Sequence, residues 1–432
     1  MGTLAAAPQL SHTTGRRAAG AKAVWRWEIR EWANGPSPWH VWPACADKVR
    51  LAWQPAGQDT LTLGLGEAWR TGPEGLSDLI AVLERHPGLV ALGSPGWPDD
   101  GRRTGGWLVP EWIWEGRPDG VGGTWRWQGR AAVELGPEES DSLWKDAVRR
   151  LSGAVVSQVP PDGPEWRRPH ALQGRDRFVA GARRALTLLA GDGLAKVVLS
   201  RDVTLVPTTG FADPWAVFRG MLARAADSHR MAWQEPGGVT WVAASPETFC
   251  RWQGARFEVE AMAGTAARHA DLGPLDRPPA LREQALVQEG ILRRLAAIAR
   301  NVTAEPPSPV AWQGLQHLRS HITGLLVEGH GPDGLVAALH PTAAVGGWPE
   351  QDAMALIPWL EGRSRGLYGA PFGKLTAAEG HLAVWLRGAC LDGSSARVTV
   401  GAGLVRGSSP EGEWAETEAK LAATWRVLGQ GH

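Results

Sequence analysis

The spacing of apolar and polar positions divides the chain into segments of different period. In RDRFVAGARRALTLLAG, residues 175–191, apolar residues recur at helical spacing and end at Gly191-Asp192-Gly193, which predicts a helix. A strand is expected directly after it, from Lys196 to Leu205. Further strands are expected at VTWVAAS (239–245), RFEVEAMAG (256–264), HLAVWLRGACL (381–391) and ARVTVGAGLV (396–405). Helices are expected at 278–302, at QDAMALIPWLEG (351–362) and at 410–429. Between Val24 and about Pro164, short apolar runs such as VRLAWQ and TLTLGLG alternate with turn clusters, so this half reads as β-rich with one helix at LSDLIAVLERHPG. Residues 1–23 are small, polar and unpatterned, and are expected to be disordered.

The same periodicities place individual side chains. The strands flanking Leu391-Asp392-Gly393-Ser394-Ser395-Ala396 read as a hairpin; centred between Gly393 and Ser394, it sets Arg387 opposite Val400 and beside Gly401, where a guanidinium can receive a carboxylate. In the last helix, opened by Ser409-Pro410, Glu413, Glu416 and Lys420 fall on one face, away from Leu421 and Trp425. Glu283 extends the apolar strip Val287, Ile291, Leu295 and Ile298, so its carboxylate is expected at the inward edge, where it needs a partner or a metal.

Charge and composition then narrow the field. With 45 Lys+Arg against 45 Asp+Glu and no basic block, the chain has no phosphate-neutralising footprint and no attraction to anionic membranes, which argues against a nucleic-acid or membrane partner. No apolar run approaches the ~18 residues of a membrane span, and the first residues lack the apolar core of a signal peptide, so a cytoplasmic protein is expected. Cys45, Cys250 and Cys390 are far apart and in no C-x-x-C pair, which fits buried free thiols. The 25 tryptophans, against a single tyrosine, Tyr368, mostly stand where a core Phe or Tyr would serve.

Generic motifs fail. Gly64-Leu65-Gly66 lacks the third glycine of a dinucleotide fingerprint, and the stretch from Tyr368 to Leu375 misses the first glycine and the final Ser/Thr of a phosphate loop. There is no H-E-x-x-H and no G-x-S-x-G. What remains is two helix carboxylates, Glu283 and Glu416, suited to sharing Mg²⁺, an inward Lys196, and Glu247 just after a strand end. Spacing alone leaves each with a plainer alternative. Glu416 with Lys420 is also an ordinary i, i+4 pair, Lys196 a strand-end charge, Glu247 a turn residue and His340 a core histidine.

The order and wording of the motifs decide between these. KVVLSR (196–201), ASPETF (244–249), AGT (263–265), HLRSHITG (317–324), LHPTAAVGG (339–347), RGLYGAPFG (365–373) and GAGLVRGSSPEGEWAET (401–417), followed by Lys420, closely resemble the chorismate-utilising enzymes, and within them the isochorismate synthases. The resemblance covers about Arg175 to Lys420. It implies a Mg²⁺-dependent isomerisation in which water adds at C2 of chorismate and the C4 hydroxyl leaves. By the same resemblance, Lys196, which must be desolvated to serve, is the general base that activates water, and Glu247 is the general acid for the departing hydroxyl. Glu283 and Glu416 match the family's metal ligands, with Glu413 beside them. Gly264, Thr265, His340, Ala344, Tyr368, Arg387, Gly401 and Lys420 match its substrate-binding positions.

Discrimination within the family follows from the same positions. Aminodeoxychorismate synthases place a nucleophilic Lys where this chain has Ala263, and ammonia-using members carry Gln where it has Lys196. Water is therefore the implied nucleophile, and no glutamine amidotransferase subunit is expected. Salicylate synthases share the water chemistry and then eliminate pyruvate, but usually read like T-A-S-G-I-P-K where this chain reads Thr342-Ala343-Ala344-Val345-Gly346-Gly347. The competing readings are a salicylate synthase and a non-catalytic chorismate-binding relative, the latter opposed by the intact set Lys196, Glu247, Glu283 and Glu416. Two departures stand out: Gln284 where the family usually has His, and Ala343 where it has Pro. The implied product feeds menaquinone synthesis, with a siderophore pathway as the other destination. The implied fold is α/β (α+β), one large domain over 24–430 with two β-layers face to face and helices outside: a loosely matching β-rich part at 24–165 and a chorismate-binding core at 172–428.

Overall fold

Alternating apolar positions along the strands are buried on both sides because two antiparallel sheets stack on each other and carry helices on their outer faces. The computed structural model describes residues 13–14, 26–35, 48–98, 104–118, 125–133, 164–170, 172–208, 210–267, 275 and 278–431. Among the described residues the larger sheet has 14 strands, its central stretch running Leu61–Leu65, Arg50–Gln54, His229–Gln234, Thr240–Ser245, Gly388–Leu391, Ala396–Val405 and Lys196–Pro207 in hydrogen-bonded order. The smaller has 10, including Leu315–Leu326, Arg256–Ala267, Thr248–Gln253, Glu379–Val384 and Pro371–Leu375 as neighbours. Leu51, Trp53, Met231 and Trp233 of the first meet Leu92, Phe372 and Ala383 of the second in the core between them. This is the two-layer α+β architecture expected.

The helices seal the outer faces. Helix Arg175–Leu189 buries Phe178, Val179, Ala182 and Ala185, and helix Pro278–Leu295 buries Glu283 on the same strip as Val287, Ile291 and Leu295. Helix Pro410–Leu428 starts on Ser409, whose hydroxyl accepts from the Gly412 amide, with Pro410 at its first position. No helix among the described residues is long and apolar enough to cross a membrane. Trp53, Trp107, Trp127, Trp166 and Trp385 are among the largest fully buried side chains, so these five are core. Cys250 and Cys390 are buried and free; Cys45 lies outside the described residues, as do residues 1–23 except Thr13–Thr14, which pair with Arg26–Gly35 as a short strand.

Two expected elements come out differently. Residues 381–391 are not one strand: Glu379–Val384 belongs to the smaller sheet, Gly388–Leu391 to the larger, and the chain turns between them at Trp385-Leu386-Arg387. The Trp385 amide donates to Ala370 O at 2.7 Å, and Arg387 takes a left-handed φ of 53°. The helix from 278 ends at Leu295, because Ala299–Ala304 pairs with Leu315–Leu326 as a strand. Helices Pro214–Arg224 and Pro332–Leu339 and the strand Leu315–Leu326 were not expected from the pattern.

Candidate active site

The chain changes sheet twice at neighbouring points, and the site forms there. One crossing is Pro246-Glu247, between Thr240–Ser245 and Thr248–Gln253; the other is Trp385–Arg387. The crossings run side by side, because Ala243 pairs with Gly388 on one sheet and Thr248 with Ala383 on the other. The Val384 amide, donating to Glu247 O at 3.1 Å, ties them together. Glu247 and Arg387 therefore face one cavity.

Of the residues singled out in the sequence, Glu247, Gly264, Thr265, Glu283, Ala344, Tyr368, Arg387, Gly401 and Lys420 line this cavity. Lys196 stands immediately behind the lining. Its side chain is fully buried, with Nζ 3.1 Å from Glu283 Oε1. That geometry satisfies no hydrogen bond from the ammonium, so Nζ keeps its donors for another acceptor. The strand register explains the room available. Val198 pairs with Gly403 and Ser200 with Gly401, placing two glycines on the face that carries Lys196. A Cβ at Gly403 would stand 2.0 Å from Glu283 Oε1 and 3.0 Å from Lys196 Cε. The Lys196–Glu283 pair occupies the space that a larger residue there would fill.

Glu283 also accepts from the Gly264 amide at 3.1 Å. Gly264, at φ 66°, sits in a break of register between Ala263 and Thr265, which turns its amide toward the helix instead of the neighbouring strand. That N–H is thus engaged by Glu283. Gln284 braces the same helix from behind, donating to Ala261 O at 3.0 Å and Ser320 Oγ at 3.2 Å.

Burial sets the protonation of the site. Glu247 is 4% exposed. Desolvation first, and the neighbouring Glu260 charge second, push its carboxyl up to about 8, against the opposing pull of Lys196, Arg387 and Lys420. It is a neutral acid at pH 7, able to give a proton. Burial lowers Arg387 from the usual guanidinium value and raises Tyr368. Arg387 donates to His317 Nε2 at 3.3 Å and lies 5.1 Å over the Trp312 ring.

His317 lines the cavity too, although its role was not read from the HLRSHITG segment. Burial and the Arg387 and Lys420 charges hold it well below the usual histidine range, so it is neutral. With Nε2 accepting from Arg387, its proton sits on Nδ1 and is donated to Gly264 O at 3.1 Å, with Thr265 Oγ1 at 3.3 Å. His340 is placed elsewhere. Its Nε2 meets Gly96 O at 2.9 Å, and its ring lies edge-on to Trp97 and Phe249, outside the cavity lining.

Helix Pro410–Leu428 closes the other side. Lys420 Nζ donates to Gly401 O at 2.9 Å and to Glu416 Oε1 at 2.6 Å. Partial burial, then the charges of Glu416 and Glu283, push the Glu413 carboxyl up to about 8. Three carboxylates thus crowd one region, an all-oxygen donor set with the chemistry of a hard divalent cation. Among the described residues no three acidic, histidine or cysteine side chains are close enough to hold an ion alone.

Comparison with known proteins agrees with this architecture. A family model described as chorismate binding enzyme matches residues 136–429. Isochorismate synthase 2, chloroplastic, of Arabidopsis thaliana is 30% identical over 54% of this chain and 43% of its own length. Anthranilate synthase component 1 of Thermus thermophilus is 32% identical over 68% of this chain and 65% of its own. The matches therefore span between about two fifths and two thirds of those relatives. The solved structure of the menaquinone-specific isochorismate synthase from Escherichia coli superposes with a TM-score of 0.78, at 24% identity, over 94% of this chain and 95% of that one. With two thirds of its length matched by the family model and the fold shared over 94% of it, the chain belongs to the chorismate-binding enzyme family.

Proposed function

We propose that this protein is an isochorismate synthase, an isomerase that adds water at C2 of chorismate as the C4 hydroxyl departs. The observation carrying this reading is the pairing, around one cavity, of a buried lysine with unused hydrogen-bonding capacity and a glutamic acid held neutral. Lys196 orients the attacking water and is the base that takes its proton. Glu247 delivers a proton to the departing hydroxyl, which leaves as water. Arg387 and Lys420 supply positive charge for the two carboxylates of the substrate. Glu283 and Glu416, with Glu413 beside them, would hold Mg²⁺, which supplies charge neutralisation for a substrate carboxylate when bound. Burial of the reacting groups fixes their orientation and excludes competing water.

Ala263, lining the cavity, offers no nucleophile of its own, and Lys196 stands where ammonia-using members carry Gln; together these favour water as the attacking group and an enzyme that works without an ammonia-supplying subunit. Likeness to a menaquinone-specific relative favours menaquinone over siderophore formation as the destination. The test is incubation of the purified chain with chorismate, with and without Mg²⁺, and chromatography against chorismate, isochorismate, salicylate and pyruvate. A Mg²⁺-dependent mixture of chorismate and isochorismate is expected. Salicylate with equimolar pyruvate overturns the product assignment, and chorismate binding without turnover overturns the enzymatic one.

A further inference from the structure

Glu260 lies outside the residues that line the cavity, on strand Arg256–Ala267, yet it is tied to the crossing that carries Glu247. Its Oε2 accepts from the Thr248 amide, the residue after Glu247, at 2.9 Å. Its Oε1 lies 3.4 Å from Arg319 Nη1, a cation on the neighbouring strand whose side chain is 40% exposed while that of Glu260 is 13% exposed. Thr248 is held from its other end by His229 Nε2, 3.0 Å from its Oγ1; burial lowers His229 to about 3, so it brings no charge. We infer that Glu260 is a positioning residue for the proton donor: its carboxylate fixes the backbone just beyond Glu247 and sets a negative charge beside the acid.

The inference rests on Glu247 being the donor. The groups facing Glu247 are the cations Lys196 from strand Lys196–Pro207, Arg387 from the second crossing and Lys420 from the last helix, with Glu260 as the opposing anion. His317, across the cavity, is neutral. Three cations alone would ionise the acid and spend its proton before the reaction begins. An anion on the outer side offsets them. Desolvation of the buried carboxyl is the larger contribution in the same direction.

The test follows the carbonyl stretch of the protonated Glu247 carboxyl by infrared difference spectroscopy as the full chain is titrated without substrate, with Glu247→Gln identifying the band. Glu260→Gln keeps an oxygen acceptor for the Thr248 amide and removes only the charge. Its midpoint is expected to fall by about one pH unit. Arg319→Gln removes a partly exposed cation and is expected to raise the midpoint by roughly a few tenths of a unit. The upper limb of the pH–kcat profile should move in the same two directions, whereas a merely structural role would lower kcat without a signed shift. An unmoved midpoint in folded Glu260→Gln, or a downward one in Arg319→Gln, overturns the inference; where Glu260→Gln does not fold, the sign in Arg319→Gln decides. Because the titration needs no turnover, failure to form isochorismate would refute the proposed reaction separately from this one.

Discussion

Lys196 Nζ lies 3.1 Å from Glu283 Oε1, with the lysine fully buried and the glutamate nearly so. The proposed base and a proposed metal ligand are therefore neighbours before any substrate arrives. Neither can change without disturbing the other.

Removing the lysine leaves the Glu283 charge buried and short of a partner. Lys196→Ala is expected to lower turnover by ~10²–10⁴-fold, the usual worth of a general base. It is also expected to lower stability by about 3–5 kcal/mol, the cost of breaking a buried pair from one side. Steady-state kinetics and denaturant unfolding measure the two effects separately. Near wild-type rates in a folded variant would remove Lys196 from the chemistry.

The raised carboxyl of Glu247 carries two pH dependences. As a proton donor it works below its value of about 8, so kcat should fall as pH rises through that point. For stability, the folded state holds a proton that the unfolded chain releases at the ordinary carboxyl value of 4.5. Its contribution is thus complete below about 4.5, declines between 4.5 and 8, and is lost above. Unfolding measured across this window should show that slope, and Glu247→Gln should flatten it while abolishing turnover.

Gly403 is expected to accept no side chain. Gly403→Ala drives a methyl into Glu283 and Lys196, a displacement costing about 1–3 kcal/mol of overpacking. Turnover should fall together with the unfolding midpoint. Full activity in this variant would show that the pair need not be held where the structure places it.

The metal reading is tested by the last helix. Glu416→Gln should raise the Mg²⁺ concentration for half-maximal turnover by at least the ~10–100-fold that losing an outer supporting group costs. Direct Mg²⁺ titration by calorimetry, in the presence of chorismate, checks the same point without relying on rate. A superimposable titration would move the ion elsewhere.

Much of this arrangement is legible in one dimension because it depends on local period. The period of two sets the face of Lys196, Val198 and Ser200, and the Asp-Gly turn fixes the hairpin register, seen in Leu391 against Ala396 and Ala389 against Val398. The helical period puts Glu283 inward and aligns Glu416 with Lys420. Seven motif segments in order carry the family. None of these needs knowledge of what lies across the core.

What only the tertiary structure decided is where the chain leaves one sheet for the other. Residues 382–386 and 389–391 are apolar on either side of Arg387-Gly388, and apolar runs are equally content in either sheet, so the pattern alone does not assign the two halves to different sheets. The turn at Trp385–Arg387 brings Arg387 beside Glu247 and against neutral His317. The proton held on Glu247 is likewise a property of its surroundings, set by desolvation and by Glu260 on another strand. A sequence states which groups are present and which way each faces its own backbone; the dielectric and the charges around them are assembled only when distant segments pack.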